Sequence, residues 1–457
     1  MKYFSFLFIL LVACTNQTTK SEVSSEKLPN VVLLVGDDQG YPYFGFMGAD
    51  YVETPNMDIL ANSGTLFTNG YVPDNHCRPS LATLMTGVLP IQYEKEAALK
   101  KEELMTSETY LALDQEGQAT WNAEYPFQSM NYFTTLPEIL ATKGYLSFQG
   151  GKWWEFNYQN GGFTHGMTEG WTPHDKENGG KWFKQFMGGS GLELARATMQ
   201  PAYDFIDLAG DTPFFLWYAP ELPHYPFDAP DKYYSIYADQ DMTESAKRYY
   251  ANCTWFDDGV GELIRYLKEK GKFENTLFIY VNDNGWEQEP DQEFRHDSLR
   301  WHNGGDKGKL SLFDQSFRSP IIFSWQGKIQ SGQRRTDLIH SADIPATILD
   351  YVGFEVPEGY YGTSYREVLD GEVANPRDKI MGNITQTRWE GDMMGRKLDG
   401  YWIRTPDWFY SYNATDSVHS LYNMVEDAKN NNNLAEVESG LTLDFYTEVE
   451  AYRQSMR

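Results

Sequence analysis

With 457 residues, 41% of them apolar and 23% charged, the chain has the make-up of a folded protein with room for one large domain and a small one. The formal net charge of −27, from 65 Asp and Glu against 38 Lys and Arg, argues against nucleic acid as a partner, because that requires a basic footprint. An anionic substrate must then be drawn in by a few local cations working against the global field.

The N-terminus reads as a targeting segment. Met1-Lys2 gives a short positive start, and the apolar run from Tyr3 to Val12 is too short to span a bilayer as a helix. It ends in Leu11-Val12-Ala13-Cys14, which resembles the lipobox of bacterial lipoproteins. That resemblance implies a signal peptide over 1–13, lipid on Cys14, and an exported, membrane-anchored chain in the periplasm or on the cell surface. Residues 14–28 are polar and rich in Ser, Thr and Glu, as a flexible tether would be. No later segment is long and apolar enough to cross a membrane.

From residue 29 the pattern alternates strands and helices. It predicts an α/β fold, a large and mostly parallel sheet sandwiched by helices, with a smaller C-terminal α+β domain. Val31 to Val35 is an apolar run of buried-strand type, broken by Gly36-Asp37-Asp38-Gln39-Gly40. Cys77 then directly precedes a helix start at Pro79-Ser80, with Leu81, Leu84 and Met85 on one apolar face. That places Cys77 where free backbone N–H groups and the positive end of a helix dipole meet an anion. Residues 92–133, long, acidic and aromatic, read as an insertion with short helices.

A second strand, Tyr145 to Gln149, ends in Gly150-Gly151-Lys152-Trp153-Trp154. Residues 155–190 follow, dense in Gly, Trp, Phe and His, with the make-up of an ordered active-site loop. A third strand, Phe214 to Tyr218, leads to Pro223-His224. Tyr249, Cys253, Phe256, Val260, Leu263, Ile264 and Leu267 form the apolar face of a helix, which makes Cys253 a core thiol. The fourth strand, Leu277 to Val281, ends in Asn282-Asp283-Asn284-Gly285. Composition shifts after Tyr351-Val352-Gly353, and the expected division is a catalytic unit over 29–372 and a small domain over 373–457. The small domain should hold short strands around Asp399 to Ile403 and a terminal helix from Leu441.

Strand ends carrying Asp-Asp, Lys, His and Asp-Asn imply one convergent site, because the sites of parallel α/β sheets gather at carboxyl ends. Asp37, Asp38 and Asp283 with the amide oxygen of Asn284 form an oxygen set that suits a hard cation, Ca²⁺ or Mg²⁺, rather than zinc. Unpaired carboxylates that close repel, so a cation is their natural occupant; for Asp37-Asp38 alone, a solvated turn is the alternative. Flexible oxygen ligation in an exported protein leans towards Ca²⁺. A disulfide between Cys77 and Cys253 is left open.

Several blocks together resemble one family. They are Asn30 to Gly40, Thr54-Pro55-Asn56-Met57-Asp58, Cys77-Arg78-Pro79-Ser80 with Thr86-Gly87, Gly151-Lys152-Trp153, Pro223-His224, Asp283-Asn284-Gly285, Lys309 within Gly308 to Asp314, and Arg318-Ser319-Pro320. In that order they resemble the formylglycine-dependent sulfatases, members of the alkaline-phosphatase-like superfamily, from about residue 29 to 436. The resemblance implies a sulfuric ester hydrolase acting on a sulfated carbohydrate through a formylglycine made from Cys77. Asp37, Asp38, Asp283, Asn284 and the modified Cys77 would be the metal ligands. Lys152 and Lys309 would hold the sulfate, and His224 would contact it or protonate the leaving group. Trp154 and His165 stand as further substrate contacts. The partners implied are the sulfated glycan, a formylglycine-generating or other sulfatase-maturating enzyme, and a membrane.

Two positions depart from the pattern. Leu81 stands where the family usually has Arg, and Trp154 stands where it usually has His. A non-catalytic relative that binds sulfated glycan, and a phosphodiesterase or phosphonate hydrolase of the same superfamily, are the alternative readings.

Overall fold

The computed structural model describes residues 27–171, 180–285, 307–309, 311–371, 377–388 and 396–455. Cys14 and the targeting segment lie outside the described residues. Eight strands form the main sheet: β1 Asn30–Gly36, β2 Thr65–Tyr71, β3 Leu146–Gly151, β4 His165–Gly166, β5 Phe214–Ala219, β6 Thr276–Asn282, β7 Ile321–Ser324 and β8 Gln333–His340. Their order is β4-β3-β5-β1-β6-β7-β2-β8. All pairings are parallel except those of β7, which runs antiparallel to both neighbours. The fold class expected from the sequence is the one observed.

The apolar runs are explained by burial on both faces. Successive side chains of a strand point to opposite faces. Val32, Leu34, Leu216, Tyr218, Phe278 and Tyr280 therefore enter one core layer, while Val31, Leu33, Val35, Phe215, Trp217 and Ile279 enter the other. The 26-residue helix Glu244–Glu269 covers the first face, with Cys253 fully buried on its apolar side. The helix Cys77–Thr86 covers the second, through Leu81, Leu84 and Met85. Cys77 and Cys253 are both free thiols, so the disulfide left open by the sequence does not form.

The insertion is more regular than expected. Its helices Pro90–Met105 and Gln115–Gln128 have 16 and 14 residues rather than a turn or two. Runs of Glu, Lys, Ala and Gln are strong helix formers even where little is buried, and Lys100 pairs with Glu103 at 2.9 Å along the same face.

Four antiparallel strands, β9 Ile380–Arg388, β10 Arg396–Arg404, β11 Trp408–Asn413 and β12 Val418–Asn423, form a second sheet in the order β12-β11-β10-β9. The helix Ser439–Ser455 packs on it through Phe445 and Val449. This sheet is fastened to the main one beside the strand ends. Trp402 Nε1 donates to the Pro73 carbonyl (3.1 Å), Tyr71 Oη donates to Asp314 Oδ1 (2.6 Å), and Arg404 Nε donates to Tyr71 Oη (2.8 Å). Arg404 Nε also lies 3.4 Å from Asp314 Oδ1, and both side chains are buried. Among the described residues no helix is long and apolar enough to cross a membrane.

Removing one partner of a buried ion pair leaves the other charge uncompensated. Arg404→Met should therefore lower unfolding free energy by about 3 kcal/mol in urea titrations, because among the described residues Asp314 would keep Arg318 Nη1, at 3.8 Å, as its cationic neighbour. A loss too small to measure would show that the network does not hold the second sheet in place.

Candidate active site

The site is assembled from the carboxyl ends of β1, β2, β3, β5 and β6. Asp37 follows β1, its N–H donating to the Leu222 carbonyl (3.0 Å), and Asp283 follows β6, its N–H donating to the Gly36 carbonyl (3.0 Å). Gly36 is required there, since a Cβ would run into the Asn282 side chain. Adjacent residues of an extended strand point apart. Asp38 escapes that rule by taking a left-handed backbone, φ +65°, a conformation that Asp tolerates better than most residues. Its N–H donates to Asp283 Oδ1 at 3.2 Å. One ligand atom from each of Asp37, Asp38, Cys77 and Asp283 consequently lies within 4.8 Å of the others, and all four residues are buried.

Cys77 is the first residue of its helix. His76 at the N-cap makes no side-chain cap bond, so first-turn N–H groups remain available to an anion. The far end closes at Gly87, in the left-handed conformation at φ +70°, with its N–H on the Thr83 carbonyl (2.8 Å). Leu81 lies in the core, so the departure from Arg places an apolar side chain in an apolar layer.

The cations arrive from two other segments. Lys152 Nζ lies 2.6 Å from Asp37 Oδ1, 3.2 Å from Cys77 Sγ and 3.9 Å from Asp283 Oδ2. Lys309 Nζ lies 2.7 and 2.8 Å from the two Asp38 oxygens and 3.4 Å from Cys77 Sγ. Asn75 Nδ2 fixes the Lys309 loop by donating to the Ser311 carbonyl (2.5 Å) and Ser316 Oγ (3.0 Å). His224 Nε2 is 3.6 Å from Asp38 Oδ2, while its Nδ1 meets the Tyr225 carbonyl. Asn284 Nδ2 donates to Asp38 Oδ1.

Burial, together with the charges around each group, sets the protonation of the cluster. Burial, with Asp37 adding to it, pushes Asp283 well up, against the pull of Lys152. Burial raises Asp38 too, but Lys309, His224 and Lys152 outweigh it and hold Asp38 below the usual carboxylate range. Burial pulls His224 down to about 4, so its imidazole is neutral at pH 7. Burial, reinforced by Asp283, pushes the Cys77 thiol well up despite the two lysines.

The residues present fit a hard cation. Among the described residues, Asp37 Oδ2, Asp283 Oδ2 and Asn284 Oδ1 are buried oxygens with no hydrogen-bond partner, which is costly unless something else satisfies them. Three carboxylates converge there as hard ligands, and Asn284 stands beside them through its side-chain amide.

Of the other expected residues, Trp154 lies in the site, with its ring centroid 5.5 Å from Lys152 Nζ. His165 does not join the cluster. It sits on β4 opposite Phe148, hydrogen-bonded to Thr164 Oγ1 (2.9 Å) and packed against Phe205 at 5.6 Å. Sequence reasoning missed two ion pairs. Arg78 holds Glu155 at 2.8 and 2.9 Å, tying the Cys77 helix to the residue after Trp154. Arg196 lies 3.6 Å from Glu221 Oε2 and donates to the carbonyls of Glu221 (2.8 Å), His224 (3.0 Å) and Pro226 (3.2 Å), fixing the His224 loop. Burial pushes Glu221 up to about 7 against that arginine. A charged residue at the end of β5 was the one signal available for it.

Such a sheet, with carboxylates, a thiol and two lysines converging at its strand ends, defines an alkaline-phosphatase-like hydrolase. Residues 29–354 match the family model described as Sulfatase, and residues 305–450 match N-sulphoglucosamine sulphohydrolase, C-terminal. The chain belongs to the sulfatase family and is a sulfatase, an enzyme that hydrolyses sulfate esters. It is 28% identical to N-acetylgalactosamine-6-sulfatase of Rattus norvegicus over 431 residues, covering 85% of this chain and 70% of the relative. It is 24% identical to an arylsulfatase of Clostridium perfringens over 426 residues, covering 78% and 81%. In fold it matches the crystal structure of Ps i-CgsB, with a TM-score of 0.69, 23% identity and coverage of 93% and 92%. It also matches BT4656 in complex with its substrate D-glucosamine-2-N,6-O-disulfate, with a TM-score of 0.68, 17% identity and coverage of 94% and 98%.

A buried, neutral thiol is a poor nucleophile. In protein whose Cys77 is unmodified, iodoacetamide should label Cys77 at least about tenfold more slowly than a free cysteine at pH 7.5, with a rate still climbing at pH 9, as peptide mass mapping would report. A plateau reached below pH 8 would contradict the raised thiol.

Proposed function

We propose that the chain removes sulfate from a sulfated carbohydrate, using a formylglycine made from Cys77 and a bound Ca²⁺, with Mg²⁺ as the alternative ion. The observation that carries this is the meeting of a hard-ligand set with two lysines on the sulfur of Cys77. Asp37, Asp38, Asp283 and Asn284 would hold the cation beside the modified Cys77. When bound, the cation supplies positive charge that activates the nucleophile and stabilises the developing anion. Formylglycine at position 77, hydrated to a geminal diol, would supply the hydroxyl nucleophile for the ester sulfur and a second hydroxyl for release of the sulfate.

The chain's own residues do the rest. Lys152 and Lys309 both reach the space above the nucleophile, so they bind sulfate oxygens and pull the ester sulfur into line. His224 is held by its Nδ1 and presents Nε2 to the site. Next to a sulfate anion its depressed pKa moves back up, which lets it donate a proton to the leaving alcohol. The carbohydrate class is supported by the names of the relatives and by an aromatic content of 16%. Export with a lipid on Cys14, and maturation by a formylglycine-generating or similar enzyme, complete the reading.

Two measurements test it. In protein from a host that matures sulfatases, the Cys77 peptide should be lighter than its cysteine form; wholly unmodified thiol from a competent host would refute the formylglycine. Asp283→Ala should abolish calcium binding by calorimetry and lower sulfate release by at least about a thousandfold. Retention of full turnover in that variant would remove Asp283 from the ligand set.

A further inference from the structure

We infer that Trp154 is a positioning residue, whose ring holds the Lys152 ammonium over the nucleophile by a cation–π contact and so sets the affinity for sulfate. The inference rests on the sulfatase reading of the site. It starts from the end of β3. Gly151 has φ +98°, and Lys152 N–H donates to the Ala219 carbonyl at 2.6 Å, which brings the chain close against β5. The side chains then alternate. Lys152 enters the site, Trp153 enters the core against Trp217 at 5.9 Å and Phe163 at 5.4 Å, and Trp154 returns to the side of Lys152.

Lys152 is almost fully buried, and the charged groups nearest its ammonium are carboxylates, Asp37 at 2.6 Å and Asp283 at 3.9 Å. Those pairings alone would draw the ammonium down into the acidic cluster. The indole ring, with its centroid 5.5 Å from Nζ, attracts the same cation without adding formal charge. A carboxylate in its place would deepen the crowding, and a protonated imidazole would repel the lysine.

The ring is placed by packing rather than by its polar atom. Phe186 meets it edge-on at 5.0 Å and is itself met by Phe127 at 4.7 Å. Trp154 Nε1 is buried and has no hydrogen-bond partner among the described residues. A buried indole usually finds one. Leaving it unpaired is a cost that Phe or Leu would avoid, so what the position retains is the most electron-rich ring face available. The backbone on the other side of the ring is locked by the pairing of Glu155 with Arg78, the residue next to Cys77.

Successively fluorinated tryptophans placed at position 154 empty the ring face of negative potential while conserving shape. In the mature, calcium-loaded protein, inorganic sulfate binding by calorimetry and kcat/KM for a sulfated sugar should both weaken stepwise. The whole series should span roughly five- to thirty-fold, with an unchanged thermal midpoint. Trp154→Phe should fall within the series and Trp154→Leu at its weak end. A flat response to fluorination, or equal sulfate affinity in Trp154→Phe and Trp154→Leu, would overturn the inference. Stepwise weakening of sulfate binding in a protein that cleaves no sulfated glycan would support the inference and refute the proposed function instead.

Discussion

Three carboxylates and a thiol held with their ligand atoms within 4.8 Å of one another, out of water, is the constraint on which this molecule is built. Burial disfavours the charged form of each group and the neighbouring carboxylates add to it, which together raise the Asp283 carboxyl and the Cys77 thiol. The fold holds the cluster with rigid, fully buried strands. β1 and β6 are neighbours in register along their whole length, so Asp37 and Asp283 leave the sheet side by side. The left-handed turn at Asp38 then folds a third carboxylate back onto the same point. Lys152 and Lys309 supply the nearest opposing charge.

Those two lysines come from opposite directions in the topology. Lys152 follows the parallel strand β3, whereas Lys309 precedes β7, the strand that runs antiparallel to its neighbours. Because β7 runs backwards, the loop entering it lies at the same end of the sheet as the loops leaving the others. One reversed strand thus brings a late segment of the chain to a site founded by the first strand. Asn75, just ahead of the nucleophile, fastens that late segment in place.

Much of this was legible in the sequence, and for a physical reason. A strand buried on both faces is largely apolar, so its end is marked sharply by the first Gly, Pro or Asn that follows, and β1, β3, β5 and β6 all announce themselves that way. Lys309 was not readable by that logic, since no apolar run ends at it; order of motifs alone pointed to it. The pairs Arg78–Glu155 and Arg196–Glu221 were invisible because charge pairing across distant segments leaves no periodicity. His165 shows what loop composition leaves out, namely register: it pairs opposite Phe148, before the end of β3, and so stands apart from the carboxylate cluster. Leu81 looked like a defect of the nucleophile motif, yet its position on the helix faces the core, where an apolar side chain is at home.

The Tyr71–Asp314–Arg404 network also sets an order of events in the making of the protein. The wall that carries Lys309 is pinned by a residue of β10, far downstream of Cys77, and a chain grows from its N-terminus. At ordinary rates of synthesis, β10 follows Cys77 by roughly tens of seconds. During that interval the Cys77 helix has no second sheet behind it and no fastened lysine loop across it. The same late clasp that fastens the finished site leaves Cys77 uncovered by the second sheet while the chain is still being made.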